Sequence, residues 1–271
     1  MRYVAHSNGF TLVELIIVIV ISGIIAVGST RFITNTATGY AGVVSRQAMA
    51  SLGVIATEKM TREIRSALPN SIRVNGSNTC IEFVPVLAAN RYTSAPVSPA
   101  AADTAVSVVA NSYLLIGGVS EYAAIYPSDV ASVYAPGSAS PVTGTEIASL
   151  SGSAITLGAN HQFPADSPTR RIYIVSDPVA YCYAAVSGQN GVFRYSGYGF
   201  NSTMVAPPTG GTREMLINQV APGSVEFDVV PATYARNALA KIEFEVAAAI
   251  NLGGGAESLT INHEVQIRNV P

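Results

Sequence analysis

The chain has no tryptophan, two cysteines, three histidines and 12% charged residues. Lysine is scarcer still, with only Lys59 and Lys241. Two cysteines separated by 102 positions exclude a C-x-x-C metal or redox site. If the region that holds them lies outside the cytoplasm, Cys80 and Cys182 read as one disulfide. Otherwise they are two buried, inert thiols. With so little charge the mean hydropathy reaches +0.35. That value is high for a soluble protein, and one long apolar run accounts for part of it.

The net charge of −2 is unevenly spread. Residues 31–69 hold five basic groups against two acidic ones, whereas residues 70–271 hold nine against fourteen. A basic stem therefore precedes a mildly acidic body, which does not match the basic footprint of a nucleic-acid binder.

From Phe10 to Thr30 the only charge is Glu14. About twenty residues at 1.5 Å rise span roughly 30 Å, the thickness of a bilayer core. Three readings compete. A cleaved secretory signal gains support from Arg2 and the small residues Ala26-Val27-Gly28. A plain anchor explains the length. Neither explains Glu14, because a carboxylate inside a membrane helix costs about 2.5–3.5 kcal/mol on insertion scales and so points to a role.

The third reading comes from Gly9-Phe10-Thr11-Leu12-Val13-Glu14. This stretch resembles the prepilin family motif: Gly before the cut, an aromatic or apolar first residue, then Thr, Leu, any residue and Glu. The resemblance implies that prepilin peptidase cleaves between Gly9 and Phe10 and methylates the new Phe10 amine. Thr11 and Leu12 support the motif. Glycine allows close approach of the peptidase to the backbone. Glu14, one turn along, neutralises such an amine, its own or a neighbour's, where a lone charge is costly. Charge asymmetry orients the segment poorly, since Arg2 opposes Arg31. The family's leader, here residues 1–9, stays cytoplasmic.

Beyond the run, Ile33, Ala37, Tyr40, Val44, Ala48, Leu52, Ile55, Met60, Ile64 and Leu68 recur at helical spacing, which predicts one apolar stripe. Pro69 ends it. Residues 10–68 thus read as one helix, apolar all round over 10–30 and amphipathic over 31–69. Gly23, Gly28, Gly39, Gly42 and Gly53 are its weak spots. From residue 70 short β-type runs follow, alternating clearly in Lys241–Val246 and Leu259–Val265. Others are predicted at Thr79–Val86, Tyr113–Gly117, Ser153–Leu157, Arg171–Ser176, Val179–Ala185, Gly191–Tyr195, Met215–Val220, Ser224–Val230, Leu239–Ala248 and Ser258–Arg268. Residues 87–111 and 127–145 read as long surface loops. The predicted class is α+β, a pilin-like fold with a long helix packed on an antiparallel β-sheet head spanning 70–271.

Three further stretches narrow the resemblance. Thr61–Val74 is similar to the stem-to-head junction of J-type and PilW-like minor pilins. Cys80–Pro85, Arg194–Tyr198 and His263–Pro271 resemble most the MshO-type minor pilins of the mannose-sensitive haemagglutinin (MSHA) pilus. The resemblance implies a membrane-held subunit with its head in the periplasm, which primes, assembles or caps a pilus. Its partners are then prepilin peptidase, other major and minor pilins, the inner-membrane assembly platform and inner-membrane lipid. No nucleic acid, cofactor or metal is called for, and no enzyme activity. A minor pseudopilin of type II secretion and a tip adhesin remain alternatives.

Candidate chemistry in the head is sparse. His161 and His263 lack H-x-x-x-H spacing, and no EF-hand-like loop occurs. Glu226/Asp228 and Glu243/Glu245 are i,i+2 pairs that share a strand face, simplest as an exposed sheet surface. Gly253-Gly254-Gly255 reads as a hairpin turn, and Arg170-Arg171 with Tyr181/Tyr183 as a solvated face.

Overall fold

The computed structural model describes residues 10–110, 112–231, 237–247 and 257–267. Its spine is α1, Leu12–Arg65, an unbroken helix of 54 residues. The Thr11 hydroxyl accepts the Glu14 N–H at 3.2 Å, which caps the start. None of the five glycines interrupts it. Ser66 closes the helix, its N–H bonding to Glu63 and Ile64 carbonyls. The helix stops before the expected Leu68 because the chain is drawn into sheet-like pairing. Leu68 N donates to Val84 O at 2.8 Å, and Ala67 bridges Pro85.

Among the described residues fourteen strands and one short helix follow: β1 Arg73–Val74, β2 Cys80–Phe83, β3 Val86–Ser94, β4 Asp103–Val108, β5 Glu121–Ile125, α2 Val130–Val133, β6 Ile147–Ser151, β7 Ala154–His161, β8 Arg171–Ser176, β9 Val179–Val186, β10 Gln189–Ser196, β11 Thr212–Asn218, β12 Glu226–Val230, β13 Ala238–Ala247 and β14 Ser258–Ile267. They form three antiparallel sheets, ordered β1-β2-β9-β10-β11, β12-β13-β14 and β5-β8-β3-β4-β7-β6. The fold is α+β, consistent with a pilin-like fold, and among the described residues the core against α1 is built from the first two sheets. Met49, Ala56, Met60 and Ile64 of the helix share one core with Ile81, Phe83 and Tyr181 of one sheet and Ile242, Phe244 and Val265 of the other.

The third sheet is a distal lobe built from residues 86–176. The chain enters it directly from β2 and leaves directly into β9. Its own core joins Val106, Val108, Ile155, Phe163 and Ile174. This lobe corrects the expectation of loops at 87–111 and 127–145: the first holds β3 and β4. The second holds α2 and the buried Val133, Tyr134 and Val142. Ala-, Ser- and Pro-rich composition concealed strands with few buried side chains, Tyr92 in β3 and Val106 and Val108 in β4. Conversely, Tyr113–Gly117 forms no strand.

The helical stripe also differs from the sequence reading. Ile33, Tyr40 and Ile55 are 65%, 72% and 64% exposed, and Ala37, Val44 and Ala48 are also exposed. Met60, Ile64 and Leu68 of the predicted stripe are buried, but the rest of the buried helical face is Met49, Gly53, Ala56, Thr57 and Thr61. Below Met49 the head reaches the helix through the exposed Arg46–Glu257 ion pair, and burial begins at Met49 with Val54 and Ile55 left outside. Tyr181, expected on a solvated face, is fully buried beside Phe83, and Tyr183 is half-buried. Gly253-Gly254-Gly255, Ala248 and Arg268 lie outside the described residues.

Candidate assembly site

At the helix start Phe10 is 75% exposed and Leu12 74% exposed. Thr11 is the cap, and Glu14 stands exposed in the first turn, where the helix dipole favours an acid. Gly9 lies outside the described residues. An apolar window of mean hydropathy 2.6 in this helix has none of its residues buried. Leu15 to Ile25 therefore present bare aliphatic side chains all round. The helix is long and apolar enough to cross a membrane.

The head is locked to the last turn of the helix by charge. Arg194 of β10 donates to Glu63 of α1 at 2.9 Å. Burial pushes the neighbouring Tyr181 hydroxyl above its ordinary value, and the Glu63 charge adds to this. Where stem meets head, Arg73 of β1 donates to Glu82 of β2 at 2.5 Å, with Glu82 only 2% exposed. Tyr198 donates to the other Glu82 oxygen at 2.7 Å, and Arg73 also donates to the Asn201 and Ser202 carbonyls. The Arg73 guanidinium lies 3.5 Å from the Tyr134 ring centroid. One buried ion pair thus ties the β10–β11 connection and α2 to the junction. Sequence reading missed it: Arg73 and Glu82 lie nine residues apart, and only the antiparallel register Arg73↔Glu82 brings them together.

Cys80 and Cys182 are bonded to each other. They are direct partners across β2 and β9 and almost fully buried among Phe193 and Tyr195. Glu226, Asp228, Glu243 and Glu245 fall on the outward face of β12 and β13, as their spacing predicts. His161 is buried, its Nε2 2.9 Å from the Ser140 carbonyl and its ring edge-on to Phe163 at 4.4 Å. His263 lines a groove of about 650 Å³ between α1 and β14.

The architecture defines a class: a β-rich head carried on a single N-terminal helix whose first half is an uncovered apolar rod. Residues 5–30 match the family model for the prokaryotic N-terminal methylation motif. That match supports a type IV pilin-like protein and indicates a substrate of prepilin peptidase. No curated protein and no solved structure matches the chain.

Proposed function

We propose that the chain is a minor type IV pilin. Prepilin peptidase cuts it between Gly9 and Phe10 and methylates Phe10, and it then enters a pilus as a structural subunit. The observation that carries this reading is the methylation motif at the head of one continuous helix, bare over its apolar half and packed under sheets from Met49 on. A helix hydrophobic all round needs lipid or other helices around it. The same rod serves as membrane anchor before assembly and as packing surface within a fibre. The partners are prepilin peptidase, other pilins, the assembly platform and inner-membrane lipid.

The disulfide supports a periplasmic head, since such bonds persist in oxidising compartments. The stretches resembling MshO-type pilins favour an MSHA-type pilus over a type II secretion pseudopilin. The test is mass spectrometry of the mature N-terminus from membranes. N-methylated Phe10 is expected. A chain starting at Met1 or at Ser29 overturns the reading.

A further inference from the structure

We propose that the outer edge of β14 receives an extended segment of a partner protein, apolar at every second residue, as a fourth strand of the β12–β13–β14 sheet. β14 lies at the end of its sheet and pairs with β13 over ten consecutive residues without a register shift. Beyond that ladder, no backbone N–H or C=O of Ser258–Ile267 is hydrogen-bonded among the described residues. The other sheet ends are managed. β1 has two residues, and the ladders of β6 and β11 each carry a register shift. Residues 141–143 cover β5, bonding to it through the Pro141 carbonyl and the Thr143 N–H. Phe227 of β12 donates to the Asn78 carbonyl at 2.7 Å. Proteins blunt exposed edges by shortness, bulges, proline, lysine or a covering segment. Among the described residues β14 has none of these, and Glu264 is its one charged side chain. So long a row of free donors and acceptors is a template for one more strand.

The edge opens onto the groove of about 650 Å³ between α1 and β14. Its lining is mostly apolar, with Val54 on the helix and Ile261 on the strand. The groove is continuous with the seam where Gly53 meets Ile261, so an added strand extends the existing contact between helix and sheet. Such a strand lies about 4.8 Å from β14, and its side chains alternate between groove and solvent. Apolar residues at every second position face Val54 and Ile261, and the residues between them lie beside the exposed Thr260, Asn262 and Glu264. Glu58, Arg62 and Arg65 bring both signs of charge to the rim, so charge does not choose the occupant. The backbone does. A lipid chain or a packed helix would fill the apolar space but leave the β14 donors and acceptors unpaired, whereas an extended chain satisfies both. The site needs only the head and the part of α1 beneath it, whatever fibre the chain enters.

The test uses the full-length chain in detergent and, as probe, a labelled synthetic peptide with the β13 sequence Ala238–Ala247. That sequence places Ala240, Ile242, Phe244 and Val246 at alternate positions and pairs with β14 in register within the fold. Fluorescence anisotropy should show saturable binding. Amide hydrogen exchange should slow at least tenfold at the β14 amides that β13 leaves free. A fully N-methylated peptide keeps the side chains but has no N–H donor, and it should bind at least tenfold more weakly. Val54→Lys should weaken the unmethylated peptide by a similar factor, because Val54 is exposed and its replacement leaves the core intact. Four results would each overturn the proposal. These are no saturable binding, equal binding of the N-methylated peptide, unchanged binding to Val54→Lys, and free β14 amides already protected before peptide is added. The last would mean that a second copy or another part of the chain occupies the edge.

Discussion

Gly53 of α1 and Ile261 of β14 approach so closely that a β-carbon on Gly53 would stand 2.7 Å from Ile261 Cδ1. The helix and the last strand meet at a glycine because no side chain fits there. This contact seats the three-stranded sheet against the stem and defines one end of the open groove.

Replacing Gly53 with valine should therefore force β14 off the helix. A destabilisation of about 1–3 kcal/mol is expected from overpacking. Gly39, with nothing within 4 Å of its virtual β-carbon, provides the control. Gly39→Ala should be neutral or stabilise by up to about 1 kcal/mol, the helix-propensity difference. Urea unfolding of the purified chains in detergent distinguishes the two, and equal effects would count against the seam.

Glu82→Gln should be among the most damaging single substitutions in the head. It leaves the Arg73 guanidinium, 13% exposed, facing a neutral group, and weakens the acceptor of the Tyr198 hydroxyl. Removing one partner of a buried ion pair costs roughly 3–5 kcal/mol. The β10–β11 connection, held through the Asn201 and Ser202 carbonyls, should become the first site of limited proteolysis. Wild-type cleavage kinetics at residues 197–211 would refute this.

The parts legible in the sequence were those with strong local signals. Glu14 alone in an apolar run, Pro69 after a long helical pattern, and alternation in Lys241–Val246 each fix a local element. Register, burial choice and distal architecture were not legible. Ala56 rather than Ile55 faces the core because the sheets approach the helix closely, a tertiary demand that inverts the hydrophobic ranking. β3, with Ala88, Ala89 and Asn90, reads as loop until Ile172, Tyr173 and Ile174 of β8 pair with it. The groove was invisible for the same reason, since Thr57 and Thr61 look like ordinary solvated positions of an amphipathic helix.

The distal lobe should be acid-sensitive through His161. Burial holds its pKa below the ordinary 6.5, partly offset by the carbonyls of Ser140 and Gly137. Above pH 6.5 folded and unfolded chains both carry neutral imidazole. As the pH falls below that value the unfolded chain takes up a proton that the folded one resists, so stability declines. The Tm of the wild type should thus fall more steeply between pH 7 and pH 5 than that of His161→Gln, whatever their starting values. Parallel pH profiles would remove His161 from the account.

Glu14→Ala should separate processing from assembly. The proposed cut site lies upstream of α1 and the head packs on residues from Met49 onward, so both processing and head stability should survive loss of the Glu14 side chain. What is lost is the one carboxylate of the apolar rod, the group available to a cationic Phe10 amine when helices pack out of water. Pilus incorporation, measured as the sheared-to-membrane ratio, should fall at least tenfold while methylated Phe10 is still found in membranes. Glu14→Gln keeps the size and hydrogen-bonding capacity but not the charge. Its failure to assemble would assign the role to charge, and its normal assembly would assign it to hydrogen bonding. Normal assembly of Glu14→Ala would reject any part for this residue in the fibre.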